Sequence, residues 1–160
     1  MTVPEWPADW SERISGASCD FCENGGQDRN AYGARIFSGE YVDGYLQSAD
    51  IQRGYTLAIW KGRHIVEPTE LHDREAAGFW IETLTVARAL MQFYQPLKMN
   101  YETLGNTSPH LHTHLLPRYE IDPRPGQPFP LLPQSDNEVQ MPEDRFVSEV
   151  TALRKLLQAT

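Results

Sequence analysis

Cysteine is almost absent from this chain: its 160 residues include two, Cys19 and Cys22, at the ends of the quartet "CDFC". A lone CxxC of this kind is a metal clip, a redox pair or a coincidence, and the spacing alone leaves all three open. Long apolar runs are missing too, since no stretch approaches the roughly 20 residues that a membrane-crossing helix needs. The opening "MTVPEWPADWSERISG" has no basic segment followed by an apolar one, so no secretory signal is expected and the cytoplasm is the expected compartment. Basic charge is the third shortage: 14 Lys and Arg stand against 22 Asp and Glu, a net charge of -8. That balance argues against a nucleic-acid polymer as partner, because its backbone is bound by a basic face that displaces counterions. A mononucleotide needs only a few local donors and is not excluded.

What is present is globular in character. Hydrophobic residues make up 40%, with six Phe, seven Tyr and four Trp, enough for one core without staples. A single domain over residues 1–160 is expected. The first 18 residues mix Pro and Trp without a period and are expected to lie as an arm on the surface. "ARIFSGEYVDGYLQS", Ala34 to Ser48, has short apolar runs about the turn-forming trio Ser38, Gly39 and Glu40, a hairpin pattern. "YTLAIWKG", Tyr55 to Gly62, is mostly apolar and reads as a buried strand.

In "DREAAGFWIETLTVARALMQFYQP" the residues Phe79, Trp80, Thr83, Leu84, Ala87, Leu90, Met91 and Tyr94 recur at spacings of three and four. This predicts a long helix with one apolar face, Asp73 as its N-cap and Pro96 as its stop. "LKMNYET" and "HLHTHLLPR" read as two more strands joined by the loop "LGNTSP". "IDPRPGQPFPLLP", Ile121 to Pro133, is too proline-rich for a central strand or a helix. A last helix, "EDRFVSEVTALRKLLQ", carries Phe146, Val150, Leu153 and Leu157 on one side. Strands before and after one long helix predict an α+β fold: an antiparallel sheet of about five strands, the long helix packed on it, and a C-terminal helix. Its core would span about residues 19–118, with the proline-rich segment and last helix in 119–160.

Three of the five histidines alternate in "SPHLHTHLLPRY". Side chains two apart on a strand share a face, so His110, His112 and His114 form a row, with Leu111, Thr113 and Leu115 behind. A solvated or structural row, a metal site and a catalytic strand all fit that pattern. Catalysis at phosphorus suits it chemically. A neutral imidazole is nucleophilic near pH 7 and forms a phosphoramidate that water later cleaves, and a second imidazole donates a proton to the leaving group. The preceding "GNTSP" offers an amide, two hydroxyls and backbone N–H groups for phosphate oxygens.

These residues resemble those of a known family. "HLHTHLLPR" resembles the motif of the histidine-triad (HIT) nucleotide hydrolases and transferases, and "CDFC", "RGYTLAIWKGRH", the long helix and "GNTSPHLHTHLLPR" follow in the family's order. The likeness covers about Cys19 to Arg118. It implies an α+β sheet that usually pairs into a homodimer, and nucleotidyl transfer through a covalent nucleotidyl-histidine. By that resemblance His112 is the nucleophile, His114 serves the phosphate and leaving group, and Asn106 and Thr107 hold phosphate and leaving-group oxygens. Related transferases and phosphorylases tend to have glutamine at the third histidine, so His114 favours water as acceptor. The activity implied is cleavage at the α-phosphate of purine nucleoside phosphoramidates or dinucleoside polyphosphates, releasing the monophosphate. A nucleotidyltransferase or phosphorylase, and a nucleotide-binding protein with little turnover, are the alternatives. Zinc-bearing members imply a structural zinc held by Cys19, Cys22, His64 and His110, a closed tetrahedral set. No organic cofactor is expected.

The chain also departs from the family pattern. Tyr55 stands where many members have a histidine after glycine, which changes or removes a polar contact to the triad. Thr113 fills a position that is usually apolar, and Pro109 follows the style of the uridylyltransferase branch. In the loop from Ser48 to Gly54, Asp50 and Ile51 are the candidates for ribose and base contacts, and Asn100 for the sugar-phosphate. His72 has no counterpart and reads as a surface residue near the helix start.

Overall fold

A computed structural model describes residues 5–130 and 139–159 of the chain. The expected surface arm contains a short helix, α1 (Trp10–Ser15), which ends on Gly16 in the left-handed conformation at φ 77°. A single turn, α2 (Asp20–Glu23), follows directly after Cys19. Neither is long enough to show a helical period, which is why the sequence reads as irregular there.

β1 (Gly33–Ser38) and β2 (Val42–Gln47) form the expected hairpin. Its turn is fastened from outside, as the Glu82 carboxylate accepts hydrogen bonds from the backbone N–H groups of Glu40, Tyr41 and Val42 at 2.8–2.9 Å. A Cβ on Gly39 would sit 2.2 Å from that carboxylate, so only glycine leaves room for the staple. β3 (Thr56–Trp60) pairs with β2, β5 (His112–Arg118) with β3, and β4 (Lys98–Glu102) with β5. All pairings are antiparallel, and the order β1-β2-β3-β5-β4 places β5 inside the sheet.

The long helix, α3 (Asp73–Tyr94), has His72 rather than Asp73 as its N-cap, within a capping box closed by Glu75. Its buried face runs through Phe79, Thr83, Val86, Ala87, Ala89, Leu90 and Tyr94. Trp80 and Met91, expected on that face, are exposed at 41% and 42% because the apolar stripe is centred on Val86 and Ala87. The helix ends at Tyr94 with Gln95 left-handed, just before Pro96. α4 (Glu143–Gln158) buries Phe146, Val150, Leu153 and Leu157 as expected. Among the described residues, no helix is long and apolar enough to cross a membrane.

The two long helices pack on one face of the sheet with Ala34, Val42, Leu46, Ala58, Leu111 and Leu115. The opposite face carries a smaller apolar cluster of Tyr45, Tyr55, Leu57, Ile59, Leu116 and Phe129, with Phe21 and Ile51 against it. The histidines lie on this second face. Residues 121–130 form no helix or strand, as the prolines require, and 131–133 of the expected proline-rich stretch lie outside the described residues. The segment is tied to the sheet by buried Arg118. That side chain ion-pairs with Asp122, donates to the Gln127 carbonyl at 2.8 Å, and lies over the Phe129 ring.

Candidate active site and metal centre

β5 supplies the centre of the site. His110 precedes its first paired residue, and its Nε2 donates to the Trp60 carbonyl at 2.9 Å. That bond fixes the tautomer and leaves the Nδ1 lone pair free. Nδ1 faces Cys19 Sγ at 3.4 Å and Cys22 Sγ at 3.5 Å, and His64 Nδ1 faces Cys22 Sγ at 3.5 Å. The four ligand atoms lie within 4.8 Å of one another. With Zn–S near 2.3 Å and Zn–N near 2.0 Å, a tetrahedral ion separates its sulfur and nitrogen ligands by about 3.5 Å. The Cys₂His₂ set fits a tetrahedral ion by chemistry and by spacing. His64 is pressed from behind by Gly16, where a Cβ would lie 2.6 Å from its Cγ. Its Nε2 is buried and meets no partner among the described residues, so it has no counterpart of the outer bond that orients His110. Burial first, then the neighbouring Cys19 sulfur, push the Cys22 thiol up to about 11 in the metal-free chain. A cation binding there displaces protons.

The second half of the row is a hydrogen-bonded chain. His112 Nδ1 lies 2.6 Å from the His110 carbonyl oxygen, which accepts only from an N–H, so His112 carries its proton there and presents a bare Nε2. That Nε2 is 3.1 Å from His114 Nε2, and His114 Nδ1 is 2.8 Å from the Tyr55 hydroxyl. The consistent direction runs Tyr55 O–H to His114 Nδ1, then His114 Nε2–H to His112 Nε2. The contact expected to be changed at Tyr55 is thus made by its hydroxyl. Burial lowers the pKa of His112, against a smaller upward pull from its bond to His110. Burial and then the charge of His112 bring His114 down to about 3. Both imidazoles are neutral near pH 7. Behind the row, buried Thr113 hydrogen-bonds Thr103 at 2.8 Å, which accounts for a hydroxyl at a usually apolar position.

The remaining expected residues are distributed as follows. Asn106 and Thr107 are exposed in the loop after β4 that leads through Pro109 into His110, and Arg13 of α1 donates to the Thr107 carbonyl at 2.9 Å. Ile51 packs on the apolar cluster of the histidine face. Asp50 is engaged elsewhere, its N–H with the Val139 carbonyl and its carboxylate 3.8 Å from Arg145. The Asn100 amide oxygen accepts from Arg118 at 2.6 Å. His72 caps α3 and stands outside the site. Sequence reading missed Asp43 and Gln47, which alternate with Tyr45 on β2 and share its face. Both are buried, and Asp43 Oδ1 and Gln47 Nε2 have no hydrogen-bond partner among the described residues. The alternation "VDGYLQ" was the available signal, with polar residues at every second position of a strand that proves fully buried.

Residues 29–121 match the family model described as the HIT domain. Among curated proteins, "Protein hit" of Bacillus subtilis is 29% identical over 107 residues, covering 64% of this chain and 72% of that protein. Among solved structures, a histidine triad protein from Marinobacter aquaeolei superposes with a TM-score of 0.69 at 25% identity, over 81% of this chain and 91% of its own. A Zn-bound histidine triad family protein from Mycobacterium smegmatis gives a TM-score of 0.61 at 27% identity, over 89% and 95%.

Proposed function

The chain belongs to the histidine-triad (HIT) family, and from that premise we propose that it hydrolyses nucleotides at the α-phosphate through a covalent nucleotidyl-His112. The observation that carries this reading is the bare His112 Nε2, whose partner nitrogen is held by the His110 carbonyl and whose neighbour is a neutral His114. His112 Nε2 displaces its resting contact with His114 and attacks phosphorus as the bond to the leaving group breaks. The Nδ1–H bond to the His110 carbonyl supports the positive charge that grows on the ring. His114 Nε2–H gives its proton to the departing oxygen or nitrogen, and the Tyr55 hydroxyl follows at Nδ1. Water then attacks the nucleotidyl-histidine and passes a proton to His114 Nε2 while Nδ1 returns its proton to the Tyr55 oxygen, releasing the nucleoside monophosphate and free His112. Asn106 and Thr107 would steady the phosphate oxygens, and Ile51 would lie against the nucleoside.

Zinc is the ion we assign to Cys19, Cys22, His64 and His110, supported by their spacing and by the Zn-bound relative from Mycobacterium smegmatis. Two thiolates and two imidazoles leave no open position, so the ion's contribution when bound is structural. A homodimer is the assembly we propose, and the exposed Leu97, just before the edge strand β4, and Tyr101 within it suit it.

The test is monophosphate release from a panel of purine nucleoside phosphoramidates and dinucleoside polyphosphates, run with wild type and His112→Ala in parallel. Release by wild type should fall by at least about a thousandfold in the variant, leaving the contribution of binding alone. An unchanged rate in His112→Ala would remove the mechanism. Release that requires added inorganic phosphate and yields the diphosphate would assign the chain to the phosphorylase branch instead.

A further inference from the structure

A cleft of about 480 Å³ opens between the Asp20–Gln27 segment and the histidine face of the sheet, lined among others by Phe21, Arg35, Asp43, Tyr45, Ile59 and Lys61. Phe21 joins it to the reactive centre, its ring centroid 5.2 Å from that of His112. Strand register makes the relation closer. Asp43 pairs with Ile59, and Ile59 pairs with His112, so the three lie in one row across β2, β3 and β5. Asp43 is therefore two strand spacings, about 9.5 Å, from the nucleophile along a single face. A nucleotide bridges such a span between its α-phosphorus and the hydrogen-bonding edge of its base. The aromatic rings of Phe21 and Tyr45 offer faces and edges on which a base packs.

Asp43 is 4% exposed, and its buried Oδ1 has no hydrogen-bond partner among the described residues. Leaving a buried acceptor unmet is costly, more so for a charged one, so a donor is expected from the cleft. Its kind follows from the neighbours. Arg35 and Lys61 stand 3.7 and 3.6 Å from Oδ1, beyond hydrogen-bond reach but close enough to balance the charge. With two cations beside it, the carboxylate calls for neutral N–H groups rather than a third cation.

Resting on the hydrolase reading above, we propose that Asp43 reads the base and selects guanine. Guanine presents two adjacent N–H donors, N1 and N2, to the two carboxylate oxygens, and its O6 falls on the side of Arg35 and Lys61. Adenine sets its N1 lone pair against the same carboxylate and offers a single donor. Hypoxanthine has the N1–H and the O6 but no amino group, and falls between.

The experiment compares kcat/KM for the guanosine, inosine and adenosine 5′-phosphoramidates, with calorimetric binding of GMP, IMP and AMP to the same proteins. Guanosine should exceed adenosine by at least about tenfold, with inosine intermediate, since each lost bond to a charged group costs roughly that factor. In Asp43→Asn the amide pairs with adenine's N6 and N1, so the order should turn toward adenosine. Equal values for the three bases in wild type, or a preference for adenosine, overturn the proposal without needing the variant. If no phosphoramidate is cleaved yet GMP binds more tightly than AMP, the hydrolase reading fails and the base reading stands. If no phosphoramidate is cleaved and none of the three monophosphates binds, both fail.

Discussion

His114 is flanked by His112 Nε2 at 3.1 Å and by the Tyr55 hydroxyl at 2.8 Å, and burial holds its pKa at about 3. In the unfolded chain the same imidazole titrates near 6.5. Between those values the unfolded state binds a proton that the native state does not, so stability must fall as the pH drops below about 6.5. The slope approaches about 1.4 kcal/mol per pH unit for one such histidine, and buried His112 acts in the same direction. Urea midpoints measured from pH 8 to pH 5 should decline below 6.5, and His114→Gln should flatten the decline; a slope indifferent to that substitution would count against the burial argument. That the alternating histidines share one face was legible in the sequence, because strand alternation alone puts them there. The Tyr55 bond, and the unmet groups on Asp43 and Gln47, were not, since they depend on which strand lies beside which.

At the scale of elements, α1 is the least expected feature, and it packs against the cluster of Cys19, Cys22, His64 and His110. Its C-terminal Gly16 lies against the His64 ring with φ 77°, and its Arg13 holds the Thr107 carbonyl of the loop before His110. Gly16→Ala would place a Cβ 2.6 Å from His64 Cγ in a backbone conformation that costs an L-residue about 1–2 kcal/mol. The variant should show lower thermal stability and a zinc content well below one equivalent after purification without chelator. Full zinc content with wild-type melting would show that the contact is idle. Six residues carry no readable period, so sequence pattern could not announce this helix. α3 and α4 are long enough for the period to dominate, and the bounds read for α4 agree with the structure. The residual error in α3 is rotational: Trp80 and Met91 are apolar and correctly spaced, yet they flank the stripe that Val86 and Ala87 centre.

For the molecule as a whole, the four-ligand cluster joins parts that would otherwise be loosely related. Cys19 and Cys22 precede residue 29, where the HIT domain match begins, whereas His64 and His110 lie within it. The segment that carries the two thiols also carries Phe21, which touches the rings of His110 and His112 and lines the cleft beside them. An ion bound at these four atoms would therefore fasten a wall of the proposed nucleotide site to the strand that bears the proposed nucleophile, His112. A ligand held at 100 times its dissociation constant stabilises the native state by about 2.7 kcal/mol. For a chain of this length that corresponds to about 5–10 °C in Tm. Dialysis against a chelator should lower Tm by that amount and zinc should restore it. Amide exchange should show where the loss begins: protection in residues 10–24 disappears first, while α3 and α4, packed on the other face, keep theirs. Uniform loss across all elements would mean that the ion stabilises the fold globally and not the wall of the site, and an unchanged Tm would mean that the four side chains hold their places without it.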